Sequence, residues 1–143
     1  MASVAQPPAA PAHHVFPLRV YYEDTDAAGI VYYANYLKFA ERARTEMLRA
    51  RGFDHTRLDS LAGLAFAVRS CRVDYLHPAR LDDALEVHTR VTRVGGATLD
   101  ADQDIRRDGT TVTRLHVRLA CINRTGRPAR LPPMLRTAFS SPS

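Results

Sequence analysis

One stretch of this sequence decides the fold: it is EDTDAAGIVYYANY, residues 23–36. Residues 18–23, which lead into this stretch, alternate between apolar and polar in the manner of a half-buried strand. Those after it carry apolar side chains at helical spacing. The carboxylates of Asp24 and Asp26 are therefore predicted to lie between a strand and a helix start, where backbone N–H groups are unpaired and the helix dipole is positive. A positioned carboxylate and well-aimed N–H donors are what acid–base chemistry on a carbonyl group requires.

The residues that follow predict one long helix. Its apolar stripe repeats every three or four residues, and the opposite face is charged. Asn35 is the predicted cap of this helix, and Gly52 is predicted to end it. The stripe consists of Tyr36, Leu37, Ala40, Ala43, Met47, Leu48 and Ala50.

Beyond residue 65 the pattern is almost continuously that of strands. Four alternating runs cover residues 66–75, 85–92, 99–106 and 115–121, and most of the connections between them have hairpin character. One strand, one long helix and four further strands predict an α+β fold, in which an antiparallel sheet packs around the helix. Such a sheet leaves open edges, which favour pairing with another subunit.

The composition is that of an ordinary globular protein. The chain has 143 residues, 45% of them apolar and 24% charged, and is long enough to bury a core without disulfides or metal. We predict one domain over residues 16–139, a disordered Ala/Pro-rich leader over 1–15 and a disordered tail over 140–143. No apolar run of the sequence reaches the roughly 20 residues of a membrane-spanning helix.

The charged and metal-ligating residues predict neither a nucleic-acid partner nor a bound metal. The net charge is +5, and Lys38 is the single lysine among 20 basic residues, but the arginines are dispersed and form no basic block. The six histidines lack metal-ligand spacing. Cys71 and Cys121 lie in strand-like runs and are predicted to be buried free thiols, which favours a cytoplasmic location.

Four segments resemble one known family. RVYYEDTDAAGIVYYANY, residues 19–36, is similar to the active-site motif of hotdog-fold acyl-CoA thioesterases, close to the 4-hydroxybenzoyl-CoA thioesterase group. ERARTEMLR (41–49), PARLDD (78–83) and RLP (130–132) resemble the Tol–Pal-associated acyl-CoA thioesterases of Gram-negative bacteria. The resemblance extends from Phe16 to Phe139. It implies a hotdog fold, an acyl-CoA substrate and no cofactor. It further implies homodimers or homotetramers with active sites at subunit interfaces, and peripheral membrane or lipid-synthesis partners.

The resemblance assigns catalytic roles within the acidic segment. Asp26 matches the family's catalytic acid, as a nucleophile on the thioester or as a general base toward water. The alternative is that Asp26 only caps a turn, a position that aspartate favours. Tyr33 matches the residue whose backbone N–H faces the thioester oxygen. Gly29 is predicted to permit the turn into the helix or a close approach of the thioester.

Substrate contacts are predicted less specifically. Tyr32 and Asn35 are candidates to line the pocket, and Arg93, beside the turn at Gly95, is a candidate for the CoA phosphates. Many Tol–Pal-type members carry histidine where this chain has Tyr33, so the acyl preference stays open.

Two other functions fit the same fold. A non-catalytic hotdog module would serve envelope or lipid-synthesis proteins as an interaction partner. A hydratase would pair its acid with a histidine in the same loop, and the sequence between Val15 and Gly52 contains no histidine.

Overall fold

A computed structural model describes residues 13–61 and 63–140, which form an antiparallel sheet and three α-helices. In sheet order the strands are β1, β3, β4, β5 and β2. The elements are β1 (His13–Arg19), α1 (Asn35–Ala50), α2 (His55–Ser60), β2 (Ala65–Tyr75), β3 (Ala84–Val94), β4 (Thr98–Arg107), β5 (Thr110–Ile122) and α3 (Pro133–Ser140). This is the α+β arrangement that the sequence predicts.

The core lies between α1 and one face of the sheet. Most of the apolar stripe of α1 is buried, although Leu37 is 41% exposed and Ala50 is exposed as well. The helix contacts β1, β3 and β4. From the sheet, buried aliphatic side chains of β3, β4 and β5 meet this stripe. Each large side chain removed from water in this way contributes about 1.5–3 kcal/mol, so the amphipathic pattern of α1 is what fixes the helix on the sheet.

The ends of the domain differ from the prediction. β1 begins at His13 and pairs with β3 from that residue onward, so residues 13–15 belong to a strand and not to a leader. At the other end, α3 runs to Ser140, the first residue of the predicted tail. The rest of the predicted leader, 1–12, and of the tail, 141–143, lies outside the described residues.

Local features near the start of α1 also correct the prediction. The first strand ends at Arg19, and residues Tyr22–Asp24 form a 3-10 turn instead of continuing the strand. Asn35 is the first residue of α1 and not its cap, which is Ala34. The Asn35 side chain donates to the Asp24 carbonyl oxygen at 2.9 Å, so it links the helix to the acidic segment.

The two sheet edges have different character. β1 contains Pro17, which has no backbone N–H. A proline is tolerated in a strand where that missing N–H would point away from the neighbouring strand, so Pro17 removes one hydrogen-bond donor from the free edge of β1. β2 has no proline and is 11 residues long. Its Val68 and Tyr75 side chains are 52% and 47% exposed. Cys71 is exposed here, against the prediction, whereas Cys121 is buried as predicted. β2 is therefore the edge with an unblocked, partly apolar surface.

Candidate functional site

The acidic segment folds into a tight hairpin between residues 25 and 31. Thr25 bridges to Val31, the Asp26 N–H donates to the Ile30 oxygen at 2.9 Å, and the Gly29 N–H donates to the Asp26 oxygen at 3.0 Å. Gly29 has a φ of +78°, in the left-handed region. A three-residue hairpin loop of this kind requires a residue with that conformation at this position. A Cβ on Gly29 would meet no atom of the described residues within 4 Å, so backbone conformation and not space selects glycine.

The two acids of this hairpin have different surroundings. Asp26 is exposed, and its Oδ1 accepts the Ala28 N–H at 2.8 Å, which leaves the carboxylate reachable from solvent. Asp24 is half-buried: its Oδ2 accepts the Tyr21 N–H at 2.8 Å, and its carbonyl oxygen accepts the Tyr32 N–H at 3.0 Å. Asp24 therefore holds the hairpin in place, and Asp26 has the carboxylate that is available for chemistry.

The start of α1 presents an unpaired backbone donor beside the hairpin. Residues 32–35 form a turn in which the Asn35 N–H donates to the Tyr32 oxygen at 2.8 Å. Tyr33 is the second residue of that turn. Across residues 13–61 and 63–140, no backbone or side-chain acceptor takes the Tyr33 N–H. This donor lies at the positive end of the α1 dipole, where a developing negative charge is stabilised.

A cleft of about 240 Å³ opens next to this donor. Its walls are Ile30 and Val31 of the hairpin, Tyr33 and Tyr36 at the helix start, and residues 75–78 after β2. The walls are mostly apolar, which suits an acyl group. The sequence alone did not reveal residues 75–78 as part of the site, because they lie about forty positions further along the chain.

Five aromatic rings form a continuous row through this region, which we call the aromatic row. The ring centroids are 4.8 Å apart for Tyr32 and Tyr33, 6.2 Å for Tyr33 and Tyr75, and 5.8 Å for Tyr75 and Tyr36. Tyr36 in turn meets Phe39 at 6.1 Å. The row leads from the exposed Tyr32, beside the hairpin, to the fully buried Phe39 in the core.

The segment after β2 fastens the hairpin and the helix to each other. Ile30 bridges to Arg80, and the Val31 N–H donates to the Ala79 oxygen at 2.8 Å. The buried hydroxyl of Tyr36 accepts the Ala79 N–H at 2.9 Å. The segment 78–83 is thus a brace for the site, a role that the sequence analysis did not assign to it.

Asp83 anchors this brace to the sheet. Its Oδ2 accepts the Arg80 N–H and an Arg107 N–H, each at 2.8 Å, and Arg107 also donates to the Pro78 oxygen at 3.0 Å. Burial alone would raise the pKa of Asp83, but these donors outweigh it and hold that pKa below its ordinary value. The lowered pKa means that the anchor is present at neutral pH and is lost as the pH falls through that value.

Arg93 is not brought together with the other predicted site residues within one chain. The hairpin follows β1 at Arg19, which pairs with Ala84 at the start of β3, whereas Arg93 lies near the other end of that strand. Nine residues of strand separate Ala84 from Arg93, a span of about 30 Å. Asp26 and Gly29 share the hairpin, and Tyr33 and Asn35 lie at the start of α1, which the Asn35 side chain joins to the acidic segment. Tyr32 lies at its edge, 46% exposed.

Comparison with known proteins identifies the family. Residues 20–139 match the thioesterase-like superfamily. The chain belongs to this superfamily. The matched region contains the hairpin, the start of α1 and the cleft, and the resemblance to thioesterases drawn from the four sequence segments is confirmed.

Individual relatives of this thioesterase-like chain are also named as thioesterases or thioester hydrolases. The acyl-CoA thioesterase YbgC of Haemophilus influenzae is 44% identical over 125 residues, covering 87% of this chain and 92% of the relative. The acyl-CoA thioester hydrolase YbgC of Escherichia coli O6:H1 is 46% identical over 109 residues, covering 76% and 81% respectively. The crystal structure of a probable thioesterase from Bartonella henselae aligns with a TM-score of 0.81 at 41% identity, covering 84% of this chain and 99% of that one. The predicted hotdog fold is confirmed.

The part of the chain that the structure describes contains neither a candidate metal site nor a candidate membrane-spanning helix. No group of three or more histidine, cysteine or acidic side chains is placed to hold a metal ion there. None of the helices described is long and apolar enough to cross a membrane.

Proposed function

We propose that this protein hydrolyses acyl-CoA thioesters to a free acid and CoA, with Asp26 as nucleophile or general base and the Tyr33 backbone N–H as oxyanion donor. The observation that carries the proposal is that Tyr33, whose N–H has no acceptor among the described residues, lines the cleft. Asp26 lies on a hairpin that Asp24 and Asn35 connect to the same helix start. The activities named for the two YbgC relatives support the choice of substrate.

Either role of Asp26 gives a balanced reaction. As a nucleophile, the carboxylate attacks the thioester carbon, the C–S bond breaks, CoA leaves as a thiolate, and water hydrolyses the resulting mixed anhydride. As a general base, Asp26 takes a proton from the water that attacks the same carbon, the C–S bond then breaks, and CoA leaves as a thiolate that the proton can neutralise. In both routes negative charge develops on the carbonyl oxygen, where the Tyr33 N–H is proposed to meet it.

The direct test is release of free thiol from a panel of acyl-CoA thioesters. Propionyl-, hexanoyl-, decanoyl- and benzoyl-CoA are incubated with the protein, and thiol is measured with a chromogenic disulfide. We expect enzyme-dependent release from at least one of the four. Absence of release from all of them at high enzyme concentration would refute the thioesterase proposal and favour the non-catalytic module.

We further propose that the site is completed by a second copy of the chain, paired through β2. The Tyr75 end of β2 lines the cleft, and the Ala65 end lies at the same end of the sheet as Arg93, which is three strands away in β3. Because an isologous pair of β2 edges runs antiparallel, it would place the Ala65 end of one chain next to the Tyr75 end of the other. That geometry would bring Arg93 of one copy toward the cleft of its partner, where CoA phosphates need a cation.

Hybrid dimers test this arrangement. One chain carries Asp26→Asn and a differently tagged chain carries Arg93→Glu, and the hybrid is purified through both tags. If Arg93 acts across the interface, one of the two sites is intact, so we expect about half of the wild-type kcat/KM per dimer, because a two-fold dimer has two equivalent sites. A hybrid no more active than the Arg93→Glu homodimer would contradict the shared site.

Other features implied by the resemblance stay predictions. These are the homotetramer, the Tol–Pal connection and the peripheral membrane or lipid-synthesis partners. A cytoplasmic location is likewise inferred, and the two free cysteines support it.

A further inference from the structure

We propose that Tyr75 is the specificity-determining residue of the cleft and restricts it to compact acyl groups. This inference rests on the proposed thioesterase function and adds the class of acyl group that the site accepts. It is carried by the packing of the Tyr75 ring against two other walls of the cleft.

The Tyr75 ring is supported on two sides. It meets the Tyr33 ring edge to face, with centroids 6.2 Å apart and planes at 86°, and it meets the Tyr36 ring at 5.8 Å and 54°. Both separations lie in the range that favours aromatic pairs. Tyr36 itself is fixed, because its ring is 3% exposed and its hydroxyl accepts the Ala79 N–H. A side chain held by a fixed ring resists displacement by a ligand.

The position of Tyr75 relative to the proposed oxyanion donor determines what it limits. The ring that Tyr75 touches belongs to Tyr33, the same residue whose backbone N–H would bind the thioester oxygen. An acyl chain attached to that carbonyl therefore starts at Tyr33 and extends along the cleft of about 240 Å³ that Tyr75 lines. A short acyl group fits beside the ring, whereas a long one has to displace it from both aromatic partners.

Substitutions of Tyr75 are expected to preserve the fold, since the side chain is 47% exposed and removing it leaves no deep cavity. Burial raises the pKa of its hydroxyl, so the ring is neutral at physiological pH and acts through shape. The hydroxyl is therefore expected to be dispensable.

The experiment compares kcat/KM for propionyl-CoA and decanoyl-CoA across a series of variants. Tyr75→Ala is expected to raise the decanoyl-to-propionyl ratio by at least about tenfold, the lower end of what pocket size contributes per methylene. Tyr75→Trp is expected to lower the ratio, and Tyr75→Phe to leave it unchanged. Tyr22→Ala is the matched control, because Tyr22 is 81% exposed and lies outside the cleft.

Each outcome bears on one proposal. An unchanged ratio in both Tyr75→Ala and Tyr75→Trp, in a wild-type background that hydrolyses thioesters, would overturn the role of Tyr75 and leave the thioesterase function intact. Absence of hydrolysis by the wild type refutes the function itself. Thermal melting and size-exclusion chromatography of every variant separate a change of selectivity from a change of fold or assembly.

Discussion

Asp26→Asn is expected to lower kcat by about 10²–10⁴-fold, the usual contribution of a side chain that transfers a proton at the reacting atoms. The local structure allows this substitution to test the carboxylate without disturbing the hairpin. An asparagine Oδ1 still accepts the Ala28 N–H that Asp26 accepts at 2.8 Å, so the hairpin keeps its turn. The negative charge and one carboxylate oxygen, which becomes an NH₂ group, are lost. Steady-state thiol release from the preferred acyl-CoA measures the effect.

Asp24→Asn is the matched control for this prediction. Asparagine can still accept the Tyr21 N–H that Asp24 accepts at 2.8 Å, and the carbonyl oxygen of residue 24 is unchanged. We expect activity within a few-fold of the wild type. If Asp26→Asn behaves like Asp24→Asn, Asp26 is only a turn residue and another group must perform the chemistry.

Tyr33→Pro is expected to lower kcat by about 10²–10³-fold, the loss seen when one oxyanion donor is removed. Proline deletes the backbone N–H, which a change of side chain cannot do. The turn at residues 32–35 accommodates it, since Tyr33 is the second residue of that turn, a position that favours proline. Its N–H has no acceptor among the described residues, so no intramolecular hydrogen bond is lost there.

Tyr33→Ala separates the backbone effect from the ring. Both substitutions remove the Tyr33 ring from its contacts with Tyr32 and Tyr75, but alanine retains the N–H. We expect Tyr33→Ala to keep a kcat much closer to that of the wild type. Equal losses in the two variants, with matching melting temperatures, would refute the oxyanion role of this amide.

Features that depend on local pattern were predictable. The apolar stripe of α1 and the alternation of β3 to β5 follow from which side chains face the core. All the predicted elements from α1 onward match within two residues at each end, except that β5 begins five residues before its predicted run. Gly29 and the turn at Asp26 likewise express short-range backbone preferences. The resemblance then distinguished Asp26 from Asp24, and their different hydrogen bonds are consistent with that distinction.

Features that depend on distant contacts were not predictable. The first strand stops at Arg19 because the chain must turn toward α1, although its alternation continues to Glu23. α2 was missed because it is only six residues long; the Asp54 cap, which accepts the Arg57 N–H at 2.8 Å, was its one local signal. Tyr75 reaches Tyr33 only through the sheet register, which no short segment encodes. The span of about 30 Å along β3 between Arg93 and Ala84, the partner of Arg19, has the same origin.

The aromatic row also has a spectroscopic consequence. The chain contains no tryptophan and six tyrosines, so tyrosine dominates its intrinsic ultraviolet emission. Four of those six phenols, Tyr32, Tyr33, Tyr36 and Tyr75, belong to the row. Most of the intrinsic fluorophores of the protein therefore lie in or beside the cleft. A molecule that binds there is expected to change the tyrosine emission, so its binding can be measured without a label.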